Sequence, residues 1–194
     1  MTDAPTISGD RPARLGPGRL ILVVGPSGAG KDTLLGRART AFAGDGNIVF
    51  QRRVVTREAS AFEDNEQMSP ESFRQARMRG DFAVHWEAHG HSYGLPRAID
   101  DDIGAGRTVV ANVSRAVIDG IRRAYAAVTV VSVTAPPEVL AKRLAARARD
   151  SDGRLADRLG RAAPGAEAAP DVTISNVGDV EHHAAELVRI IKGG

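Results

Sequence analysis

Cysteine is missing from all 194 residues. The chain therefore has no disulfide framework and no thiolate metal site, and it suits a reducing compartment. Equally absent is a run of about 18 consecutive apolar residues, which excludes a membrane-spanning helix. The apolar stretches that do occur, such as 20–24 and 128–133, have the length of buried strands. Aromatic residues are only 4% of the chain, and the formal net charge is just +2. A nucleic-acid binder would carry a continuous basic stripe with aromatics interleaved; here Asp and Glu interrupt the cations, so no nucleic-acid partner is expected. Residues 1–18 lack the apolar stretch of a secretory leader, and the cytoplasm is the expected location. Lysine is scarce as well. Of the 26 cations only Lys31, Lys142 and Lys192 are lysines, the other 23 being arginines. That bias has two readings, a GC-rich genome or planar, bidentate recognition of phosphate, and only the positions of individual arginines separate them.

What is present is a complement of apolar residues, 42% of the chain, sufficient for one domain with a full core. Residues 1–18 hold three prolines and three glycines without periodicity and read as a flexible N-terminal tail, leaving 19–194 as the domain. Strands are predicted at 19–24, 48–55, 108–113, 129–134 and 172–176, with a strand or hairpin at 82–93 that turns at Gly90. Helices are predicted at 31–43, 70–79, 97–105, 115–126, 136–148, 155–162 and 180–191. Strands alternating with helices specify an α/β domain with a central parallel sheet covered on both faces. The stretch 52–96 fits this alternation least and reads as an inserted subdomain.

The strongest local signal is Gly25-Pro26-Ser27-Gly28-Ala29-Gly30-Lys31-Asp32-Thr33. It fits G-x-x-x-x-G-K and stands after a hydrophobic strand and before a helix, where a phosphate cradle must stand. The glycines let the backbone turn its N–H groups toward phosphate oxygens, the helix N-terminus adds its positive end, and Lys31 neutralises charge on the transferred group. The nine residues are the expected ATP-binding segment. One position departs: the Ser or Thr that usually follows the lysine is Asp32. A carboxylate is a competent magnesium ligand, and it also favours a helix N-terminus; both readings stand at this point.

Further segments resemble the guanylate-kinase-like group of P-loop kinases, over about residues 19–191. Val54-Val55-Thr56-Arg57 resembles the strand end whose arginine grips the acceptor phosphate. Gly90-His91-Ser92-Tyr93-Gly94-Leu95-Pro96 resembles the loop whose tyrosine hydroxyl reaches the same phosphate. Arg143-Leu144, Arg147 and Arg158-Leu159 resemble an arginine-bearing lid that closes over ATP. The resemblance implies a three-layer P-loop NTPase fold of nucleoside-monophosphate-kinase type, with an acceptor-binding subdomain at about 52–96 and a lid at about 143–161. Three departures point to one branch. Ser60 stands where guanylate kinases carry a second arginine, the stretch 58–69 is short and offers Glu63, Asp64, Asn65 and Glu66 in place of a base-reading segment, and Asn112 replaces an acidic residue. Together with Lys31-Asp32 and the Trp86, Ala88, Gly90 segment, they resemble the ribose 1,5-bisphosphate phosphokinase family of phosphonate catabolism. The implied reaction turns ATP and ribose 1,5-bisphosphate into ADP and 5-phospho-α-D-ribose 1-diphosphate (phosphoribosyl diphosphate), with Mg²⁺. A guanylate kinase and a non-catalytic binding module are the alternatives.

The chemistry suits these residues. An acceptor phosphate is already nucleophilic at neutral pH, so the protein must chiefly screen and align two anions. In this reading Lys31, Arg143, Arg147 and Arg158 are catalytic, Arg57 and Tyr93 hold the acceptor phosphate, and Asp64, Asn65 or Glu66 meet the ribose hydroxyls. Asn112 touches ligand or satisfies backbone groups at its strand end, and Asp32 is the candidate metal ligand. The duller alternatives are a solvated helix face for Arg143 and Arg147, and packing for Tyr93. His85, His89 and His91 have no carboxylate at ligand spacing, which argues against zinc, and His182 and His183 are expected to face solvent. The sequence leaves the oligomeric state open, a homodimer being one option.

Overall fold

Strand β2 (Leu15–Val24) organises the molecule because its residues 20–24 are fully buried. Alternation sends Ile21 and Val23 into one core and Leu20, Leu22 and Val24 into another, so the strand must lie at the centre of a sheet covered on both sides. In the computed structural model, which describes residues 6–7, 14–57, 64–88, 90–148 and 169–193 (backbone alone at 6–7 and 147–148), β2 pairs in parallel with β8 (Thr108–Asn112) and β9 (Tyr125–Thr134). Strands β3 (Ile48–Gln51) and β10 (Val172–Ser175) complete a parallel sheet of order β10-β9-β2-β8-β3. Helices α1 (Lys31–Ala41) and α6 (Val180–Lys192) cover one face through Leu34, Ala38, Leu187 and Ile191. Helices α3 (Ala98–Gly104) and α4 (Ile118–Ala124) cover the other through Ile99, Ile103, Ile118 and Ile121. This is the three-layer α/β arrangement the sequence predicts.

A second sheet, of order β1-β6-β7-β4-β5, is built mostly from the 52–96 region: β1 (Thr6–Ile7), β6 (Phe82–Ala88), β7 (His91–Pro96), β4 (Arg53–Val55) and β5 (Asn65–Gln67). Its pairings are antiparallel except β4 with β5. Helix α2 (Pro70–Arg79) closes it, Ser69 capping the N-terminus and Phe73 stacking on Phe82 at 4.5 Å. Helix α5 (Pro137–Ala148) follows β9.

Several boundaries differ from the sequence expectation. The single strand expected at 48–55 breaks at Arg52 into β3 and β4, which belong to different sheets. Val54 and Val55 are both buried, each in a different cluster, so period-2 alternation could not mark the break. Strand β2 starts at Leu15 rather than 19, its first residue pairing with Tyr125 ahead of a register shift. The helix expected at 115–126 is a 3₁₀ turn (Arg115–Val117) followed by α4, and it ends at Ala124. Tyr125 opens β9 instead, its ring buried and its hydroxyl donating to Asp100 Oδ1 at 2.6 Å. Thr6 and Ile7, placed in the tail by sequence, pair with His85 and Val84. The helix expected at 155–162 and lid residues 149–161 lie outside the described residues. Among the described residues no helix is long and apolar enough to cross a membrane.

Candidate active site

The cradle leaves the C-terminal end of β2 and enters α1 through Gly30, whose φ of 89° is left-handed. Side chains are barred there twice over, because a Cβ would also run into the side-chain nitrogen of Asn176. Gly25, at φ 143°, is equally restricted, since its Cβ would meet the Val133 carbonyl. Lys31 folds back over the loop, its Nζ donating to the carbonyls of Gly25 (2.8 Å) and Pro26 (3.0 Å). Asn176, buried just after β10, donates from Nδ2 to the Ala29 carbonyl at 2.7 Å. Arg143 of α5 donates to the Asn176 carbonyl (2.9 Å) and to those of Gly28 (3.4 Å) and Ala29 (3.5 Å). Side chains thus engage four carbonyls of the loop, which fixes the orientation of its peptide groups. Arg143, expected on the lid, lies against the cradle itself.

Asp32 sits in the first turn of α1, half-buried, and Asn112 at the end of β8 donates from Nδ2 to its Oδ1 at 3.3 Å. The other amide atom, Asn112 Oδ1, is buried without a hydrogen-bond partner. An unsatisfied buried oxygen beside a carboxylate calls for a cation or its water. The donor set is all oxygen, so these two residues fit Mg²⁺. His183, by contrast, does not face solvent: its side chain is 14% exposed and its Nε2 meets the Val177 carbonyl at 3.0 Å.

From Asp32 a cleft of about 360 Å³ runs along α1. Asp32, Gly36 and Arg39 line it from one helix face, as spacings of four and three residues require. Phe50, Arg53 and Asn65 line it from the sheets, with Asp64 just before β5. Arg53 donates from Nε to Asn65 Oδ1 at 3.2 Å, and its guanidinium lies 5.8 Å from the Tyr93 ring centroid. Asp64 pairs with Arg39 and, at 3.6 Å, with Arg52.

Of the residues the sequence singles out, Asp32, Thr33, Asp64, Asn65 and Asn112 come together in this cleft. Glu66 does not: it is the next residue along β5, on the opposite face from Asn65, and it is exposed. Arg57 and Tyr93 are not among the lining residues. Arg57 is half-buried two residues beyond β4, next to Thr56, whose Oγ1 accepts from Ser92 N at 2.8 Å and ties that segment to β7. Tyr93 is 7% exposed, its ring stacks on Trp86 at 5.6 Å, and the Arg53 guanidinium links it to the cleft. Arg147 follows Arg143 by one turn of α5, while Arg158 and residues 58–63, with Ser60, lie outside the described residues. Sequence reasoning missed Gly36, Arg39, Arg53 and Asn176. For Arg39 a signal existed, its i+7 spacing from Asp32; for Asn176 it was the place after the last strand of a parallel sheet, where ligands gather.

No family model matches the chain. It is 66% identical over 180 residues to a protein of Rhodopseudomonas palustris named ribose 1,5-bisphosphate phosphokinase PhnN, covering 93% of this chain and 91% of that one. It is 59% identical over 192 residues to a protein of the same name from Bradyrhizobium diazoefficiens, covering 99% and 97%. Among solved structures, guanylate kinase from Anaplasma phagocytophilum superposes with a TM-score of 0.62 at 21% identity, over 92% of this chain and 86% of that one, a likeness of fold.

Proposed function

The chain belongs to the ribose 1,5-bisphosphate phosphokinase family, and from that premise we infer that it moves the γ-phosphoryl group of ATP onto ribose 1,5-bisphosphate. An oxygen of the sugar's 1-phosphate forms the new P–O bond as the bond between the β and γ phosphates breaks, giving 5-phospho-α-D-ribose 1-diphosphate and ADP. The observation that carries this reading is identity to relatives of that name along nearly the whole chain. Guanylate kinase, the alternative, is supported by likeness of fold alone.

Each end of the site has its own task. Residues 25–33 cradle the ATP phosphates, and Lys31 exchanges the carbonyls of Gly25 and Pro26 for phosphate oxygens. Asp32 and the Asn112 amide oxygen would hold Mg²⁺, which supplies neutralising charge at the transferring phosphate. Arg57, just beyond β4, takes the acceptor's reacting phosphate, with the Tyr93 hydroxyl as its partner in the reading from resemblance. Asp64 and Asn65, which line the cleft, would meet ribose hydroxyls, whereas Glu66 is exposed on the other face of β5. Arg143 acts as a brace of the cradle, a positioning residue, while Arg147 and Arg158 supply charge from the lid at about 143–161. Residues of about 52–96 then form the acceptor-binding subdomain. No general base is required, because the acceptor is a phosphate anion at neutral pH.

The test is to incubate the protein with Mg·ATP and either ribose 1,5-bisphosphate or GMP, following ADP and phosphoribosyl diphosphate. Both products with the sugar bisphosphate, and no ADP with GMP, are expected. ADP with GMP alone would assign the chain to guanylate kinase activity, and silence with both would leave a binding module.

A further inference from the structure

We propose that Arg39 is the specificity-determining residue that grips the non-reacting 5-phosphate of the acceptor, and that the Asp64 carboxylate stands where this phosphate binds. The inference rests on the acceptor being ribose 1,5-bisphosphate and adds which end of the cleft holds which phosphate. Asp32 and Asn112 mark the end where transfer takes place, so the 1-phosphate must lie there. Arg39 lines the same cleft seven residues further along the same helix face, which at 1.5 Å per residue is about 10 Å away. Between them lies Gly36, where an added Cβ would meet nothing within 4 Å, so the wall there leaves room for a ring.

The far end is built for an anion. Arg39 and Arg53 both line the cleft, and the Arg39 guanidinium already binds a carboxylate, that of Asp64. That pair is about half exposed on both sides, and exposed pairs are worth only about 0–1 kcal/mol, so exchange is cheap. A phosphate offers a guanidinium two charge-assisted hydrogen bonds and more charge than one carboxylate oxygen. Once displaced, Asp64 is free to turn to the ribose hydroxyls beside it.

Two one-phosphate analogues separate the ends: ribose 5-phosphate carries only the group assigned to Arg39, and ribose 1-phosphate only the reacting one. Both are measured as inhibitors competing with ribose 1,5-bisphosphate, in the wild type, Arg39→Ala and Arg39→Lys. Losing one charge-assisted contact is expected to raise the KM for ribose 1,5-bisphosphate and the Ki for ribose 5-phosphate about tenfold or more in Arg39→Ala. The Ki for ribose 1-phosphate, the KM for ATP and the melting temperature are expected to stay put, with Arg39→Lys intermediate. A Ki for ribose 5-phosphate that does not move, or one that rises together with that for ribose 1-phosphate, overturns the proposal while leaving the activity standing. Failure of ribose 5-phosphate to inhibit the wild type at millimolar concentration overturns it too. If the wild type does not phosphorylate ribose 1,5-bisphosphate at all, the assigned reaction falls and takes this inference with it.

Discussion

The two ends of the cleft are held together by opposite means. At the donor end the bonds are buried or half-buried: Asn176 is 4% exposed and ties the Ala29 carbonyl, while the half-buried Arg143 spans Gly28, Ala29 and Asn176. At the acceptor end they are exposed, with Arg39, Arg52 and Asp64 each about half open to water. Leaving a buried polar group unpaired costs about 1–3 kcal/mol, whereas an exposed ion pair contributes about 0–1 kcal/mol. The donor end is therefore preorganised, as charge transfer demands, and the acceptor end can exchange partners without unsettling the fold. In the proposed reading, rigidity sits where ATP is held and looseness where the acceptor is held.

The largest effect belongs to the rigid end. Lys31→Ala removes a preorganised cation, and kcat in a coupled ADP assay is expected to fall by at least about 10²–10³-fold, with the melting temperature little changed. Retained kcat would mean that the cradle is not where charge is stabilised. Next comes the brace. Asn176→Ala is expected to destabilise the protein by about 1–3 kcal/mol in denaturant titration and to raise the KM for ATP. Asn176→Asp should cost more, because it sets a carboxylate against the Ala29 carbonyl it now donates to. Equal, small losses for both would show the donor end to be as adaptable as the acceptor end.

This contrast also explains what the sequence discloses. The cradle is legible because its function constrains backbone: Gly25 and Gly30 occupy conformations and spaces that admit no side chain, and Lys31 must follow at fixed spacing. The parallel sheet is legible because 20–24 are apolar on both faces. The break at Arg52 is not, since β3 and β4 differ in which sheet they join rather than in local pattern. Arg39 and Arg53 are two among 23 arginines; spacing from Asp32 points to Arg39, but for Arg53 only the fold shows that it faces the same cleft. Tyr93 illustrates the reverse case: a loop motif points to its hydroxyl and says nothing of its ring, which the fold packs into the core beside Trp86.

A middle-sized effect sharpens the acceptor end. Gly36→Leu puts a side chain into open cleft without backbone strain, and the KM for the sugar bisphosphate is expected to rise about tenfold, equivalent to 1.4 kcal/mol. The KM for ATP should be unchanged, because the cradle lies at the other end. Parallel rises in both would show one continuous site rather than two.

The smallest effect is the most telling about the rim. Arg39 and Asp64 form an ion pair in the lining of the cleft, and both side chains are about half exposed. Solvent screens their attraction, and ordering two flexible side chains offsets part of what remains. A double-mutant cycle on unfolding, with Arg39→Ala, Asp64→Ala and the pair, is therefore expected to return a coupling below about 1 kcal/mol. A coupling several times larger would make the pair a structural clamp, and the acceptor end would then be as firmly built as the cradle. A near-zero value, beside a large loss for Asn176→Ala, would leave the asymmetry intact: the rim charges are held ready for an anion rather than spent on the fold.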